Sequence, residues 1–201
     1  MSRQSLDPTA PGNPSRLTVH QHVFPARSIA RFGDDGQRVE VQMKGLPRRF
    51  RERPTANLFT ADRRWDQRAE AGFMSSLERD FQNVADAVIS GALTRLDRPH
   101  REVVHRFYAL WGLRSDFAET APTWLKTVGL TGEELSEAKF DALEAVWTMA
   151  LRPNGWFPDR HFNSLRIQMH IDRLYEEAAD PPWESRERWK GNSSFPIGLG
   201  Q

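Results

Sequence analysis

The sequence predicts a mainly α protein of the α+β class, in which a small N-terminal β element is followed by about four packed helices and an irregular C-terminal arm. Two observations lead to this fold class. Alternation of apolar and polar residues is confined to the first 45 residues, whereas apolar residues recur at helical spacing over four later stretches. The 201 residues, 38% of them hydrophobic, can bury one core, so we expect a single globular domain over residues 16–201.

Residues 1–15 precede this domain and are rich in Pro, Ser, Gly and Thr. A segment of this composition has too little apolar surface to offset the entropy that is lost when a chain becomes ordered. We therefore predict a disordered tail over residues 1–15.

The β element is predicted from two strand-like runs and the residues between them. Residues 17–24 (LTVHQHVF) are rich in β-branched and aromatic residues, and residues 38–44 (RVEVQMK) alternate between apolar and polar. Between them, residues 26–32 (ARSIARF) can form one or two helical turns, and GDDG at 33–36 is typical of a turn. We expect a hairpin that contains a helical excursion.

Four helices are predicted from the apolar periodicity that follows, at about 62–92, 99–117, 132–151 and 158–178. For the third, Thr131 and Glu134 have the spacing of a capping box. The stretch 180–201 is rich in Pro and Gly but also contains Trp183, Trp189 and Phe195. We expect it to fold back over the helices as an irregular arm.

The composition also bears on location and on the classes of site. The chain has no cysteine, which leaves no disulfide or thiolate chemistry and fits a reducing compartment. No apolar run reaches the roughly 20 residues that a membrane-spanning helix needs, and the N-terminus lacks the apolar segment of a secretion signal. We therefore expect a soluble, cytoplasmic protein with no membrane partner.

A carboxylate interrupts the apolar stripe of the first predicted helix. With Trp65 as the origin of a helical wheel, the apolar residues from Phe73 onward fall between about 80° and 160°, Glu70 at about 140° and Glu78 at about 220°. On the second helix, Arg114 lies within the apolar face. Three interpretations are open: a buried ion pair between Glu70 and Arg114, a catalytic or ligand site built on Glu70, Glu78 and Arg114, or a position of Glu70 at a helix end or an interface.

A metal site is a weaker alternative that uses the same carboxylates. His20 and His22 are two residues apart on a predicted strand and so point to one face, where Glu70 and Glu78 could complete a divalent metal site. Such a metal could activate water against a phosphodiester. The other four histidines have no ligand-like spacing, and no nucleophilic serine motif or phosphate-binding glycine loop is present.

A short basic segment indicates a second candidate site. Residues 1–60 hold ten Lys or Arg against five Asp or Glu, and the later residues are acidic on balance. Five of these cations surround Phe50 with only Glu52 opposing them: Lys44, Arg48, Arg49, Arg51 and Arg53. Clustered guanidinium groups beside an aromatic ring suit nucleic acid or another anion. The alternative is a solvated linker between a strand and a helix.

These motifs in combination resemble a family of uncharacterised bacterial proteins, the domain-of-unknown-function family 4238, over residues 17–118. The resemblance rests on three patterns: an N-terminal one (His22, Pro25, Ile29 and Phe32), a helix with a second acidic position (Trp65, Asp66, Arg68, Glu70 and Glu78), and a helix that ends in LWGLR, which includes Arg114. The resemblance implies a bacterial protein without a settled activity. A phage, mobile-element or defence context is an association only.

Two classes of function follow from these observations. The first, which we favour, is a non-enzymatic binding module for protein or nucleic acid, because no complete catalytic set is assembled. The second is a metal-dependent hydrolase or nuclease that uses His22, Glu70 and Glu78 with a divalent metal as cofactor. The sequence leaves open whether the protein is an enzyme.

Overall fold

The computed structural model describes residues 7–33 and 37–179. Helices hold 48% of the residues and short strands 12%, so the prediction of a mainly helical α+β fold is confirmed. The arm predicted over 180–201 and most of the predicted turn at 33–36 lie outside the described residues.

The described strands form three separate two-stranded antiparallel sheets. Strand β1 (His20–His22) pairs with β4 (Thr60–Asp62), β2 (Val39–Gln42) with β3 (Arg49–Glu52), and β5 (Trp124–Lys126) with β6 (Trp156–Pro158). A five-residue helix, α1 (Ala26–Ala30), follows β1 where a helical excursion was predicted.

The predicted pairing of the two N-terminal strands is wrong. The strand within 17–24 pairs with β4, and the strand within 38–44 pairs with β3, which belongs to the basic segment. The linker interpretation of that segment is therefore wrong for residues 49–52. Alternation shows which residues share a face but not which strand lies alongside, and the short connection between β2 and β3 favours pairing of neighbours.

Two of the four predicted helices match the structure closely: α4 (Arg98–Glu119) and α6 (Arg160–Ala179). The first predicted helix begins later than expected, because Thr60–Asp62 is a strand and Asp66 is the N-cap. It consists of α2 (Gln67–Ala69), a π-helical turn (Glu70–Met74) and α3 (Ser75–Ile89).

The third predicted helix is much shorter than predicted. Helix α5 (Glu137–Ala145) has nine residues, and Ser136 is its N-cap rather than Thr131. The segment before it is held beside another stretch of backbone, because a Cβ atom built on Gly132 would lie only 1.8 Å from the carbonyl oxygen of Leu151. This close packing of two loops replaces the predicted first turns of the helix.

The central core lies between α2, the π-helical turn, α3, α4 and α6. Its buried members are Trp65, Ala69, Met74, Leu77, Leu110, Ile167 and Ile171. Helix α4 contacts both α3 and α6, so a side chain on its inner face lies against the segment that contains Glu70.

The prediction of a disordered tail over 1–15 is wrong for residues 7–15, while residues 1–6 lie outside the described part of the chain. Asp7 and Ala10 are both buried. The backbone N–H of Ala10 donates a hydrogen bond of 2.7 Å to the carboxylate of Asp141. Polar contacts, rather than apolar surface, hold this segment in place, and composition alone could not reveal them.

Candidate functional site

Arg114 on α4 is the centre of the first candidate site. Its side chain is 2% exposed, and its Nη2 atom lies 3.4 Å from the Glu70 carboxylate. Nη1 donates to the Glu78 carboxylate and, at 3.2 Å, to the carbonyl oxygen of His22. The contact proposed between Glu70 and Arg114 is therefore present, and Glu78 is a second partner of the same guanidinium. We call Arg114, Glu70, Glu78 and Trp65 the Arg114 cluster.

Trp65 completes the surroundings of both charges. Its indole N–H donates a hydrogen bond to Glu70, and its ring lies 5.0 Å from the guanidinium carbon of Arg114, a distance at which a cation and an aromatic face attract each other. Trp65 is fully buried, whereas the carboxyl-bearing side chains of Glu70 and Glu78 are 19% and 25% exposed. The cluster is closed on the arginine side and reaches water on the carboxylate side.

The π-helical turn explains why two carboxylates eight residues apart reach one arginine. In a regular α-helix, Glu70 and Glu78 would differ by about 80° around the axis. A π turn accommodates one extra residue, so the two side chains differ by only about 20° in direction. The turn lies at Glu70–Met74, between them, with Gly72 in a non-helical conformation. A helical wheel for a regular α-helix puts Glu78 at about 220°, outside the apolar stripe, because it does not include this turn.

The structure does not bring the predicted metal ligands together. The ring of His20 is 2.7 Å from the Asp62 carboxylate, and the His22 ring is 3.2 Å from the carbonyl oxygen of Pro54. Across residues 7–33 and 37–179, no three His, Asp or Glu side chains are placed to hold a metal ion. Glu70 and Glu78 contact Arg114 instead, so His22 does not join them in a ligand set.

A second group of buried charges surrounds Glu144 and was not predicted. The Glu144 carboxylate lies 2.8 Å from Arg63 and 2.6 Å from Arg160, and all three side chains are less than a tenth exposed. Burial alone would raise the pKa of Glu144, but the charge and hydrogen bonds of Arg160, with the charge of Arg63, outweigh it and hold that pKa below its ordinary value.

The group extends outward through further ion pairs. Asp7 lies 2.5 Å from Arg160 and 2.8 Å from Arg152, which also pairs with Glu137 at 2.6 Å. With Asp141, 3.6 Å from Arg63, these side chains form what we call the Glu144 network: Asp7, Arg63, Glu137, Asp141, Glu144, Arg152 and Arg160. The adjoining cavity is only about 10 Å³, which is room for about one water molecule. The network therefore has the properties of a structural cluster rather than of a ligand pocket.

The basic segment forms the second candidate site, on the hairpin of β2 and β3, which we call the basic hairpin (residues 39–52). Arg49 and Arg51 lie opposite Gln42 and Glu40 and share with them the exposed face. The other face holds Val39, Val41 and Phe50, which are buried or half-buried. The strand alternation thus turns the arginines outward and anchors the hairpin by its apolar side.

All five predicted cationic residues of this segment are exposed. Arg49 pairs with Glu40 at 2.9 Å in a solvated contact. Arg48, Arg51 and Arg53 form no ion pair with any residue that the structure describes. The hairpin therefore presents cationic groups that remain available to an anion.

No protein-family model, curated protein or solved structure matches the chain. The resemblance to family 4238 therefore stays a prediction. Within the described ranges, no helix has an apolar stretch of the length needed to cross a bilayer.

Proposed function

We propose that the protein is a non-enzymatic binding module that contacts nucleic acid through the basic hairpin. The observation that carries this proposal is the exposure of Lys44, Arg48, Arg49 and Arg51 on one two-stranded ribbon and of Arg53 directly after it. The proposal places the protein in the bacterial cytoplasm, with the phage or defence association that the resemblance implies.

The spacing of the arginines favours a regular polyanion over a single small anion. Arg49 and Arg51 share one face of β3, about 6.8 Å apart along the strand, and Arg53 follows directly after it. Phosphates recur at a short regular interval along a nucleic-acid strand. A linear row of cations therefore suits a linear row of phosphates.

The Arg114 cluster supports binding more than catalysis. Its one cation contacts both carboxylates, so each carboxylate already has a cationic partner. A metal-dependent hydrolase or nuclease that uses His22, Glu70 and Glu78 stays the alternative, but these residues would have to leave the contacts described above to hold a metal. It differs from the binding proposal in requiring a divalent metal and cleavage of the nucleic acid.

Fluorescence anisotropy on labelled duplex and single-stranded DNA and RNA, over a range of salt concentrations, tests the proposal. Affinity should fall steeply with salt, with a log-log slope of about 0.7–0.9 in magnitude per phosphate neutralised. The double variant Arg51→Gln/Arg53→Gln should lower that slope by about 1.4–1.8. The matched control, Arg79→Gln/Arg101→Gln, removes two exposed arginines of other elements and should leave the slope unchanged.

Three outcomes would contradict the binding proposal. The first is no affinity for any nucleic acid at low salt, which would leave protein as the partner. The second is an equal loss of affinity in the double variant and its control, which would indicate nonspecific attraction. The third is Mg²⁺- or Mn²⁺-dependent cleavage that disappears in Glu70→Gln, which would support the hydrolase alternative.

A further inference from the structure

The tip of the basic hairpin exposes apolar side chains among its cations. Met43 and Leu46 are 45% and 54% exposed, and Pro47 beside them is exposed as well. Lys44 and Arg48, both exposed, flank Leu46 and Pro47 in the sequence. Exposed apolar side chains lack the favourable free energy of burial in the free protein. A partner that covers them when it binds would supply it.

The conformation of the tip is held by the hairpin itself. The backbone N–H of Leu46 donates to the carbonyl oxygen of Met43 at 3.0 Å, and the side chain of Gln42 donates to the carbonyl oxygen of Leu46 at 3.2 Å. Gly45 takes the left-handed conformation that such a turn needs, with φ of +81°. The apolar side chains are therefore presented on an ordered turn.

We infer that the tip is a wedge that enters the minor groove of double-stranded DNA and bends the duplex, an inference that rests on the proposed nucleic-acid binding. Proteins that bend DNA through the minor groove insert apolar side chains such as Leu, Met or Pro between base steps, while cations hold the flanking phosphates. Here Leu46 and Pro47 are the apolar element, and Arg48, Arg49 and Arg51 are the cations that follow along the same ribbon.

Duplex DNA fits this arrangement better than the other nucleic acids. Single strands are bound through exposed aromatic rings on which bases stack, but Phe50, the aromatic residue of the hairpin, is half-buried on the opposite face from Arg49 and Arg51. Duplex RNA has a wide, shallow minor groove that a narrow wedge would not grip. The observations therefore favour the narrower minor groove of B-DNA.

The experiment measures DNA bending by energy transfer between dyes on the two ends of a duplex of about 30 base pairs with a central TA step, the kind of step that kinks most easily. The full-length protein should bring the ends closer, by an amount that corresponds to a bend of about 20–90°. Leu46→Ser/Pro47→Ser should abolish the change in energy transfer. It should leave the salt slope of binding unaltered, because no charge is removed.

Two further variants control for folding and for loss of surface hydrophobicity. Leu58→Ser removes a leucine of comparable exposure, 44%, that lies outside the hairpin, and should bend DNA as the original protein does. Leu46→Phe keeps an apolar wedge and should retain bending. Circular dichroism of each variant should match that of the original protein.

The possible results separate the inference from the proposed function. Duplex binding with the expected salt slope but no bend, or a bend that persists in Leu46→Ser/Pro47→Ser, would overturn the wedge and leave the binding module intact. Absence of binding to every nucleic acid would overturn both. Binding to vesicles of anionic phospholipid in place of duplex DNA, lost in Leu46→Ser/Pro47→Ser, would show that the tip serves a membrane surface and would also overturn the wedge.

Discussion

The Arg114 cluster and the Glu144 network are both buried charge groups, but they differ in how many members they have and how well water reaches them. In the Arg114 cluster a single buried arginine meets two carboxylates that are 19% and 25% exposed. In the Glu144 network the central carboxylate, Arg63 and Arg160 are all less than a tenth exposed. The comparison indicates that removal of one charge is tolerated where water reaches the remaining charges, and is costly where it does not.

Replacement of Glu144 by Ala should produce the largest effect. It leaves Arg160 with Asp7 alone and Arg63 with the more distant Asp141, in surroundings that are nearly closed to water. The free energy of unfolding should therefore fall by about 3–5 kcal/mol, the usual cost of removing one partner of a buried ion pair. Urea denaturation measures this change. The control is Glu137→Ala, since Glu137 also pairs with an arginine but its side chain is 50% exposed; it should cost about 1 kcal/mol or less. Equal losses in the two variants would contradict the distinction between closed and open clusters.

The Arg114 cluster should show strong coupling between its two carboxylates. Glu70→Gln or Glu78→Gln alone should lower the free energy of unfolding by about 1 kcal/mol, because Arg114 keeps one anionic partner. The double variant strands Arg114 at 2% exposure, and its loss should approach 3 kcal/mol, more than the sum of the single losses. Denaturation of the four proteins of this double-mutant cycle gives the coupling energy. If the stability loss of the double variant equals the sum of the two single losses, the carboxylates do not share the arginine in solution.

Acid should destabilise the protein in part through Glu144. Because the pKa of Glu144 in the folded protein lies below its ordinary value of 4.5, its contribution is complete above that value and is lost as pH falls below it. Each unit of that difference corresponds to about 1.4 kcal/mol. Glu144→Gln should therefore flatten the decrease of stability below pH 4.5, as followed by thermal unfolding at several pH values. An unchanged acid slope would contradict this role of Glu144.

The smallest effect is expected from deletion of Gly72. Without the extra residue of the π-helical turn, Glu70 and Glu78 would be seven residues apart on a regular α-helix and would still differ by only about 20° in direction. The loss of stability should therefore be about 1 kcal/mol or less. Deletion of Asp80, an exposed residue within α3, would rotate one part of the helix by about 100° against the other and should be far more harmful. Similar losses for the two deletions would contradict the account of the π turn.

How well the sequence predicted the two charged groups depends on the secondary-structure elements that carry their residues. Glu70 and Arg114 lie on helices whose apolar periodicity is regular around them, so each charge stood out as an exception within a stripe. The π turn shifts the helical periodicity by one residue, which is why a regular helical wheel puts Glu78 outside the apolar stripe. The members of the Glu144 network belong to an N-terminal segment, to loops, to the short helix α5 and to the first residue of α6. At these places no established period marks an unusual residue.

The pairing of the strands is the other feature that the sequence did not predict. The run RFRE in β3 alternates, but with Phe50 as its one apolar residue it does not carry the repeated pattern by which strands are recognised. The nearby strand β2 was found because Val39 and Val41 repeat at every second position. The exposure of the five basic residues was expected from either interpretation of the segment, whereas their arrangement on a paired ribbon depends on a contact between strands.

The members of the Glu144 network are far apart in the sequence, and this separation determines when each one meets its partner during synthesis. Arg114 is separated from Glu70 and Glu78 by 44 and 36 residues, whereas Asp7 and Arg160 are 153 residues apart. At about 5–20 residues per second, a ribosome needs about 8–30 s to make Arg160 after it has made Asp7. Asp7 must remain hydrated and unpaired with Arg160 throughout that interval, and Arg63 must wait for Glu144, 81 residues later, while the Arg114 cluster can already form. Asp7 is therefore made long before Arg160, the partner that fixes it in place.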